Sequence, residues 1–226
     1  MDPIVNIINI LIQNHLPAIN QAIQSEILNR DLDPWVHVTS ANDRLGTINL
    51  EVCTAYVEVG YEVDNMRGLS SVQISSLEVN TCGQNPQNSD EVNGTVNIAA
   101  RSGGICTGLG GHAEAGCGFL CPSVGLSGTV SASGVSAIGS GSFQAQIKGE
   151  QICLTNVRLG QLNLSYDNLS VNIDGLGIFN DFLHPLEDLI LKQFNNQISN
   201  QIASALTPVL NSQVGIILPL CANLSV

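Results

Sequence analysis

The chain has 226 residues, with 19 Asp and Glu against 7 Lys and Arg, a net charge of -12 and a pI near 4.4. An acidic surface of that kind repels phosphate polyanions and argues against nucleic acid as a partner. The seven cations are dispersed at Arg30, Arg44, Arg67, Arg101, Lys148, Arg158 and Lys192, which argues equally against lipopolysaccharide or an anionic membrane.

Residues 4 to about 28 read as a helix. Ile4, Ile8, Leu11, Ile12, Leu16, Ile19, Ile23 and Ile27 share one face, while Asn6, Asn9, Gln13, Asn20 and Gln24 lie elsewhere. Pro17 is expected to kink this helix or restart it. No positively charged leader and no small-residue cleavage site precede it, so the sequence reads as a mature form.

From about 46 to 173 the period switches to two. Ile48, Leu50, Val52, Thr54, Tyr56 and Glu58 alternate with Asn49, Glu51, Cys53, Ala55, Val57 and Val59, which predicts one long strand covered on both faces. Asn65-Met-Arg-Gly68 reads as a turn into a second strand through Val72, Ile74, Leu77 and Val79, giving a hairpin over 46–80 with an irregularity near Ser75-Ser76. Further strands are expected at 92–101, 123–132, 141–149 and 152–173. The Gly/Ser/Ala-rich stretch from Gly103 to Gly141 resembles a linker by composition. The alternation of Leu126, Gly128, Val130 and Ala132, and of Phe143, Ala145 and Ile147, favours small-residue strands of a bent sheet instead.

A second helix is predicted from Asp181 to Asn211, with Leu183, Leu186, Ile190, Phe194, Ile198, Ile202, Leu206 and Leu210 as its apolar stripe. Its other face is Asn, Gln and Ser with few cations, which favours burial against a sheet or an apolar ligand. The chain is therefore expected to form a single α+β domain over 1–226, with two striped helices burying one sheet.

Seven cysteines indicate an oxidising compartment. With the hairpin turn centred between Arg67 and Gly68, Cys53 and Cys82 face each other and are expected to be bridged. Cys106, Cys117, Cys121 and Cys153 are expected to give two more bridges of open connectivity, leaving Cys221 as the odd thiol. A Cys106, His112, Cys117, Cys121 zinc set is the weaker reading, because its spacing matches no zinc module. Asn93, Asn163, Asn168 and Asn223 open glycosylation sequons, as a secreted chain can use.

No catalytic residue is assigned. His15, His37, His112 and His184 lie in separate segments, no Gly-x-Ser-x-Gly elbow occurs, and the Gly108–Gly116 glycines lack the strand and helix that a nucleotide fingerprint needs. The chain is read as a non-enzyme that needs no cofactor and no metal.

Several segments, taken in order, carry a resemblance to a known family. They are Asp2-Pro3-Ile4 opening the first helix, the Arg67-Gly68-Leu69 turn, Gly175-Leu-Gly-Ile-Phe179 before the last helix, and Leu206-Thr-Pro-Val-Leu210 near its end. Together they resemble the mite group 7 allergen proteins of the tubular lipid-binding superfamily, which includes bactericidal/permeability-increasing, PLUNC and takeout-like proteins. The resemblance implies a strongly curved antiparallel sheet wrapped around a long C-terminal helix, with the N-terminal helix alongside and an apolar groove between them. It also implies secreted binding or transport of a lipid, fatty acid, terpenoid or pigment. Few aromatics make the expected lining aliphatic. Its candidates are Ile8, Leu11, Ile12, Val57, Val59, Leu186, Ile190, Phe194, Ile198 and Ile202, each equally readable as ordinary core. The alternative is a surface-active or structural extracellular protein whose helices open onto an interface.

Overall fold

The computed structural model describes residues 3–51, 53–85, 87–116 and 122–224. Its architecture is α+β, a strongly curved antiparallel sheet with an N-terminal helix and a long C-terminal helical segment. The first helix, α1 (Pro3–Asn29), runs through Pro17 as one element. Gln13 is exposed, so water can take the carbonyl that the missing Pro17 N–H leaves unbonded. Val5, Ile7, Ile8, Ile12, Leu16, Ile19, Ile23 and Ile27 form its buried stripe, as the spacing predicts.

Two long strands, β4 (Asn88–Gly116) and β5 (Ser123–Lys148), form the spine of the sheet. They pair from Glu91 opposite Gln146 to Glu114 opposite Ser123 without a register shift. The Gly/Ser/Ala-rich stretch is thus strand, not linker, over residues 103–116 and 123–141. At about 3.3 Å per residue a 29-residue strand laid straight would run some 95 Å, so it must curve to pack.

The curvature has a sequence origin. Along β4 the inward positions are even-numbered up to Ser102 and odd-numbered from Ile105; along β5 they are even-numbered up to Ala132 and odd-numbered from Val135. Both strands change inward face at one level, where Gly104 lies opposite Ser133 and Gly134 takes φ +58. A side chain at Gly134 would strike the Asp167 carboxylate at 2.1 Å, so glycine is required there for both conformation and space.

Shorter strands flank this spine end to end. Strands β1 (Thr39–Leu50) and β2 (Cys53–Arg67) form a hairpin, Leu50 facing Cys53, so the single strand expected over 48–61 turns back at Glu51. Only one face of β2 is covered, with Ala55, Val57, Val59, Tyr61 and Val63 inside and Tyr56 53% exposed. The hairpin expected over 46–80 does not form. Strand β2 pairs with residues 106–116 of β4, and β3 (Gln73–Asn85) pairs with residues 88–101 of the same strand, so β2 and β3 follow one another along β4. A 3-10 turn, Leu69–Ser71, joins them. The Asp33 carboxylate holds that turn by accepting from the Gly68 N–H at 3.1 Å, the Ser70 N–H at 2.7 Å and the Ser70 hydroxyl at 2.5 Å. The irregularity foreseen near Ser75-Ser76 is a register shift between Ile74 and Ser76. On the far side, β6 (Gln151–Leu159), β7 (Asn163–Ser165) and β8 (Asn168–Asp174) follow one another along β5, and β9 (Leu220–Asn223) adds to β6.

This arrangement corrects the cysteine pairing. Cys82 faces Gly94 near one end of β4, whereas Cys53 precedes Tyr56, which faces Gly116 at the other end. Some twenty strand residues, about 70 Å of path, separate the two levels, so no Cys53 to Cys82 bridge is possible. Cys53 is nonetheless disulfide-bonded. Cys221, expected as the odd thiol, is bridged to Cys153 with Cα atoms 4.0 Å apart, because β9 returns to pair with β6. Cys106, expected in a bridge, is an exposed free thiol. Cys117 and Cys121 lie outside the described residues, so the bridges expected of them are not placed.

The C-terminal segment opens with a 3-10 turn, Gly177–Phe182, continues as α2 (Leu183–Gln193), passes through a π-turn, Phe194–Ile198, and ends as α3 (Ser199–Ile216). The π-turn follows from the stripe. Leu186, Ile190, Phe194, Ile198, Ile202, Leu206 and Leu210 recur every four residues, and each such step advances about 40° around a 3.6-residue helix. Six steps would carry the stripe out of the core. The extra residue of a π-turn resets it by about 100°, and all seven side chains are at most 2% exposed.

Candidate ligand-binding site

Both helices present their stripes to the concave face, and the ten candidate lining residues meet there. Ile8, Val57, Val59, Leu186, Ile190, Phe194, Ile198 and Ile202 are fully buried, Ile12 is 2% exposed, and Leu11 packs half-buried at the margin. The structure brings them into one continuous apolar core, filled by their own side chains. Of the ten, Ile202 borders a void.

That void sits where the two spine strands change face. Leu69 of the 3-10 turn and Val72 just after it, Ala100, Arg101, Ser102 and Ile105 from β4, Val135 and Ala137 from β5, Leu164 from β7, and Ile202 and Leu206 from α3 enclose it, leaving about 10 Å³. A space of that size is no larger than one water, and its apolar walls give water nothing to bond. Its cause is geometric. The kink interrupts the flanking strands on both sides, and Ala100 and Ala137 do not fill the gap.

An open cleft of about 780 Å³ lies beside it, between α1 and the 3-10 turn, lined by Gln13, Leu16, Pro17, Asn20, Gln21, Gln24 and residues 70–73. Val72 belongs to both the cleft and the void. Val72 therefore stands between the cleft and the void.

The hold of α1 on the sheet is specific. Asn20 Nδ2 donates to the Ile74 carbonyl at 3.0 Å and Asn20 Oδ1 accepts from the Ile74 N–H at 2.7 Å. Asn9 does the same to Val79, at 3.1 and 2.7 Å. Strand β3 pairs with β4 along one edge only, so each carboxamide stands in for a neighbouring strand on the other. The spacing matches: eleven helical residues rise about 16.5 Å, and five strand residues span about the same. Asn211 on α3 clamps Leu159 in the same way, at 2.7 and 3.1 Å. The sequence reading took Asn9 and Asn20 simply as polar-face residues. Their separation by three helical turns was the available signal.

The π-turn has its own polar support. The Ser199 hydroxyl donates to the Phe194 carbonyl at 2.8 Å, its oxygen lies 2.7 Å from the Tyr166 hydroxyl, and the Tyr166 ring meets Phe194 edge-on at 5.6 Å. Burial pushes the Tyr166 phenol up. Three buried side-chain atoms among the described residues have no partner, Tyr61 Oη, Asn93 Oδ1 and Gln201 Oε1. Burial pushes the Tyr61 phenol up to about 12.

Cys106 and His112 lie six residues apart on β4, about 20 Å along the strand, so they do not share an ion. Among the described residues one group has metal-ligand geometry, His37, Glu62 and Asp64, whose ligand atoms lie within 4.8 Å of one another. His37 Nδ1 is 2.7 Å from Glu62 Oε1, and the His37 N–H donates to Asp64 at 2.6 Å. The Glu62 hydrogen bond, with the Asp64 charge, raises the His37 pKa, and the His37 backbone N–H lowers that of Asp64. An exposed ion-pair cluster accounts for these contacts. His15 bonds the Leu11 carbonyl one turn back, and His184 bonds Glu187. Of the sequon residues, Asn163, Asn168 and Asn223 are exposed, while Asn93 is half-buried within β4.

No protein-family model matches the chain, and no curated protein matches it. Among solved structures, the lipopolysaccharide binding protein crystal structure is similar at 12% identity and a TM-score of 0.48, covering 90% of this chain. The chain spans 38% of that protein's length. Takeout 1 of Epiphyas postvittana is similar at 12% identity and a TM-score of 0.25, over 82% of this chain and 77% of that one.

Proposed function

We propose that the chain is a secreted carrier of a slim hydrophobic molecule, such as an acyl chain or terpenoid. In this reading the ligand enters between α1 and the 3-10 turn and lodges at the kink of the sheet. The observation that carries it is the apolar void bordered by Ile202 and Leu206, joined through Val72 to the cleft under α1. Ala100, Ile105, Val135, Ala137 and Leu164 face the void with carbon alone, beside Arg101 and Ser102, so burying a ligand against them gains about 25 cal/mol per Å² of apolar surface. A void of about 10 Å³ must widen on binding, and α1, held along β3 by two carboxamide clamps, is the element placed to move.

The resemblance to the mite group 7 and takeout-like proteins belongs with this proposal. So do exposed sequons at Asn163, Asn168 and Asn223 and the Cys153–Cys221 bridge, which fit a secretory origin. The test is a native mass spectrum of delipidated protein incubated with a long-chain fatty acid and with a sesquiterpene alcohol. A one-to-one adduct that exchanges between the two is expected. Gln24→Trp, a change at an exposed residue of the cleft mouth, should slow its formation at least tenfold. Absence of any adduct by wild type overturns the proposal.

A further inference from the structure

The stretch from Gly68 to Val72 is the wall that the cleft and the void share. Ser70, Ser71 and Val72 line the cleft, while Leu69 and Val72, both buried, close the void from the same side. Resting on the carrier reading of this site, we infer that residues 68–72 are the gate through which the ligand passes. Asp33 is the latch of that gate, a positioning residue that couples it to α1.

Three observations carry this. The first is that the sheet releases the chain at this stretch. Backbone pairing with β4 stops at Arg67 opposite Cys106 and resumes at Gln73 opposite Arg101. Across the gap the backbone bonds are internal to the turn, Ser71 N–H to the Gly68 carbonyl at 3.2 Å and Val72 N–H to the Leu69 carbonyl at 3.1 Å. Side chains fasten the turn to its surroundings. The Asp33 carboxylate accepts from the Gly68 N–H, the Ser70 N–H and the Ser70 hydroxyl, and the Ser102 hydroxyl, 2.7 Å from that of Ser71, donates to the Gly68 carbonyl at 3.2 Å. A segment without ladder bonds opens at lower cost than a paired strand.

The second is a hinge. Gly68 takes φ +102, and a side chain there would meet the Gly104 carbonyl oxygen at 2.1 Å, so the chain crosses β4 at a residue free to change its dihedrals.

The third is the position of the latch. Helix α1 ends at Asn29, and beyond it the Leu32 N–H still donates to the Ile27 carbonyl at 3.1 Å. On the other side, Trp35 is fixed to Met66 of β2 through backbone bonds of 2.8 and 2.9 Å. Asp33 occupies the short span between these anchors, so lifting α1 away from β3 pulls on the carboxylate that holds the gate. Widening the void and opening the gate are then one motion. The donors that Asp33 holds all belong to Gly68 and Ser70, so the turn is released as a unit.

The test separates rates from affinity. Delipidated protein is mixed with hexadecanoic acid and adduct growth is followed by native mass spectrometry. Release is followed by chasing that adduct with the perdeuterated acid. Asp33→Asn replaces one accepting oxygen by an amide that cannot accept, so entry and release should both quicken about tenfold. They quicken together because the gate must open for passage in either direction. Ser70→Ala, a milder change, removes one of the bonds to Asp33 and should raise both rates by less. Hydrogen exchange of ligand-free Asp33→Asn should quicken at Ser70 and Val72 and stay as in wild type along β4 and β5. The inference is overturned if exchange quickens throughout the chain, which marks a purely structural contact, or if release alone quickens, which makes Asp33 part of the binding surface. An adduct that forms and exchanges at wild-type rates in both variants overturns the gate alone. Absence of any adduct in wild type overturns the carrier reading, and the gate with it.

Discussion

Replacing Asn20 by Ala removes both hydrogen bonds between the middle of α1 and the edge of β3. The Ile74 N–H and carbonyl then lose their partners at a residue only 2% exposed. At about 1–3 kcal/mol for each stranded group, partly relieved by water reaching the edge, the loss should be about 3 kcal/mol. Alanine also raises helix propensity by roughly half a kcal/mol, which works against the loss. Asn14→Ala calibrates that gain, because Asn14 is exposed and makes no hydrogen bond to the described residues. Urea unfolding of the three proteins isolates the clamp, and the melting temperature should fall by about 6–12 °C for a chain of this size. Asn20→Asp separates a two-way clamp from a single contact. Its carboxylate still accepts from Ile74 N–H but sets a second oxygen against the Ile74 carbonyl, so it too should destabilise. If Asn20→Ala unfolds at the same urea concentration as Asn14→Ala with the same slope, the clamp contributes nothing and the reasoning fails.

Other outcomes follow from the same structure. Tyr61→Phe deletes a buried hydroxyl without a partner and should raise stability by about 1 kcal/mol in urea unfolding. Because the folded-state pKa of Tyr61 is raised from 10.0 to about 12, the unfolded chain ionises first as pH rises. Wild-type stability should therefore fall between those values, and the fall should be smaller in Tyr61→Phe. His37 gains a partner in Glu62, so its contribution is present below the ordinary histidine value and lost as pH rises through the raised one; proton NMR should place its titration above 6.5, and Glu62→Gln should bring it down. Breaking the Cys153–Cys221 bridge with paired serines frees a loop of 68 residues and should cost about 4 kcal/mol. Gly134→Ala should be among the most damaging single changes, read as loss of soluble folded protein, since it meets both a positive φ and the Asp167 carboxylate.

Much of this architecture was legible because burial is periodic. The α1 stripe, the C-terminal stripe from Leu186 to Leu210 and the small-residue strands around Val130 and Ala145 stand where their spacing puts them. Pairing was not legible. Alternation in Val57, Val59 and Val63 and in Leu77 and Val79 says which side faces inward, but not that both segments share β4 as neighbour. The hairpin and the Cys53 to Cys82 bridge failed together for that reason. Two signals lay in plain sight. The four-residue recurrence from Leu186 is incompatible with an unbroken α-helix, and the change from even to odd inward positions between Ala132 and Phe143 marks the kink beside which the void forms. Of the ten candidate lining residues, Ile202 borders the void and the others pack as core. Whether they leave space depends on packing at Ala100 and Ala137, which no period encodes.

The uninterrupted register of β4 against β5 sets where this chain can change length. The register irregularities among the described residues, between Arg44 and Gly46, Asp64 and Arg67, Ile74 and Ser76, Val79 and Thr81, Gln84 and Asn85, and Gln144 and Ala145, all lie in ladders that involve the shorter flanking strands. An insertion there is absorbed locally as one more bulge. One residue added within β4 or β5 would instead reverse every side chain on one side of the insertion, exposing Val130 or Phe143 and burying Ser131 or Gln144. Length variation among proteins built this way should collect in the outer strands, while the two central ones vary only in the identity of their small residues.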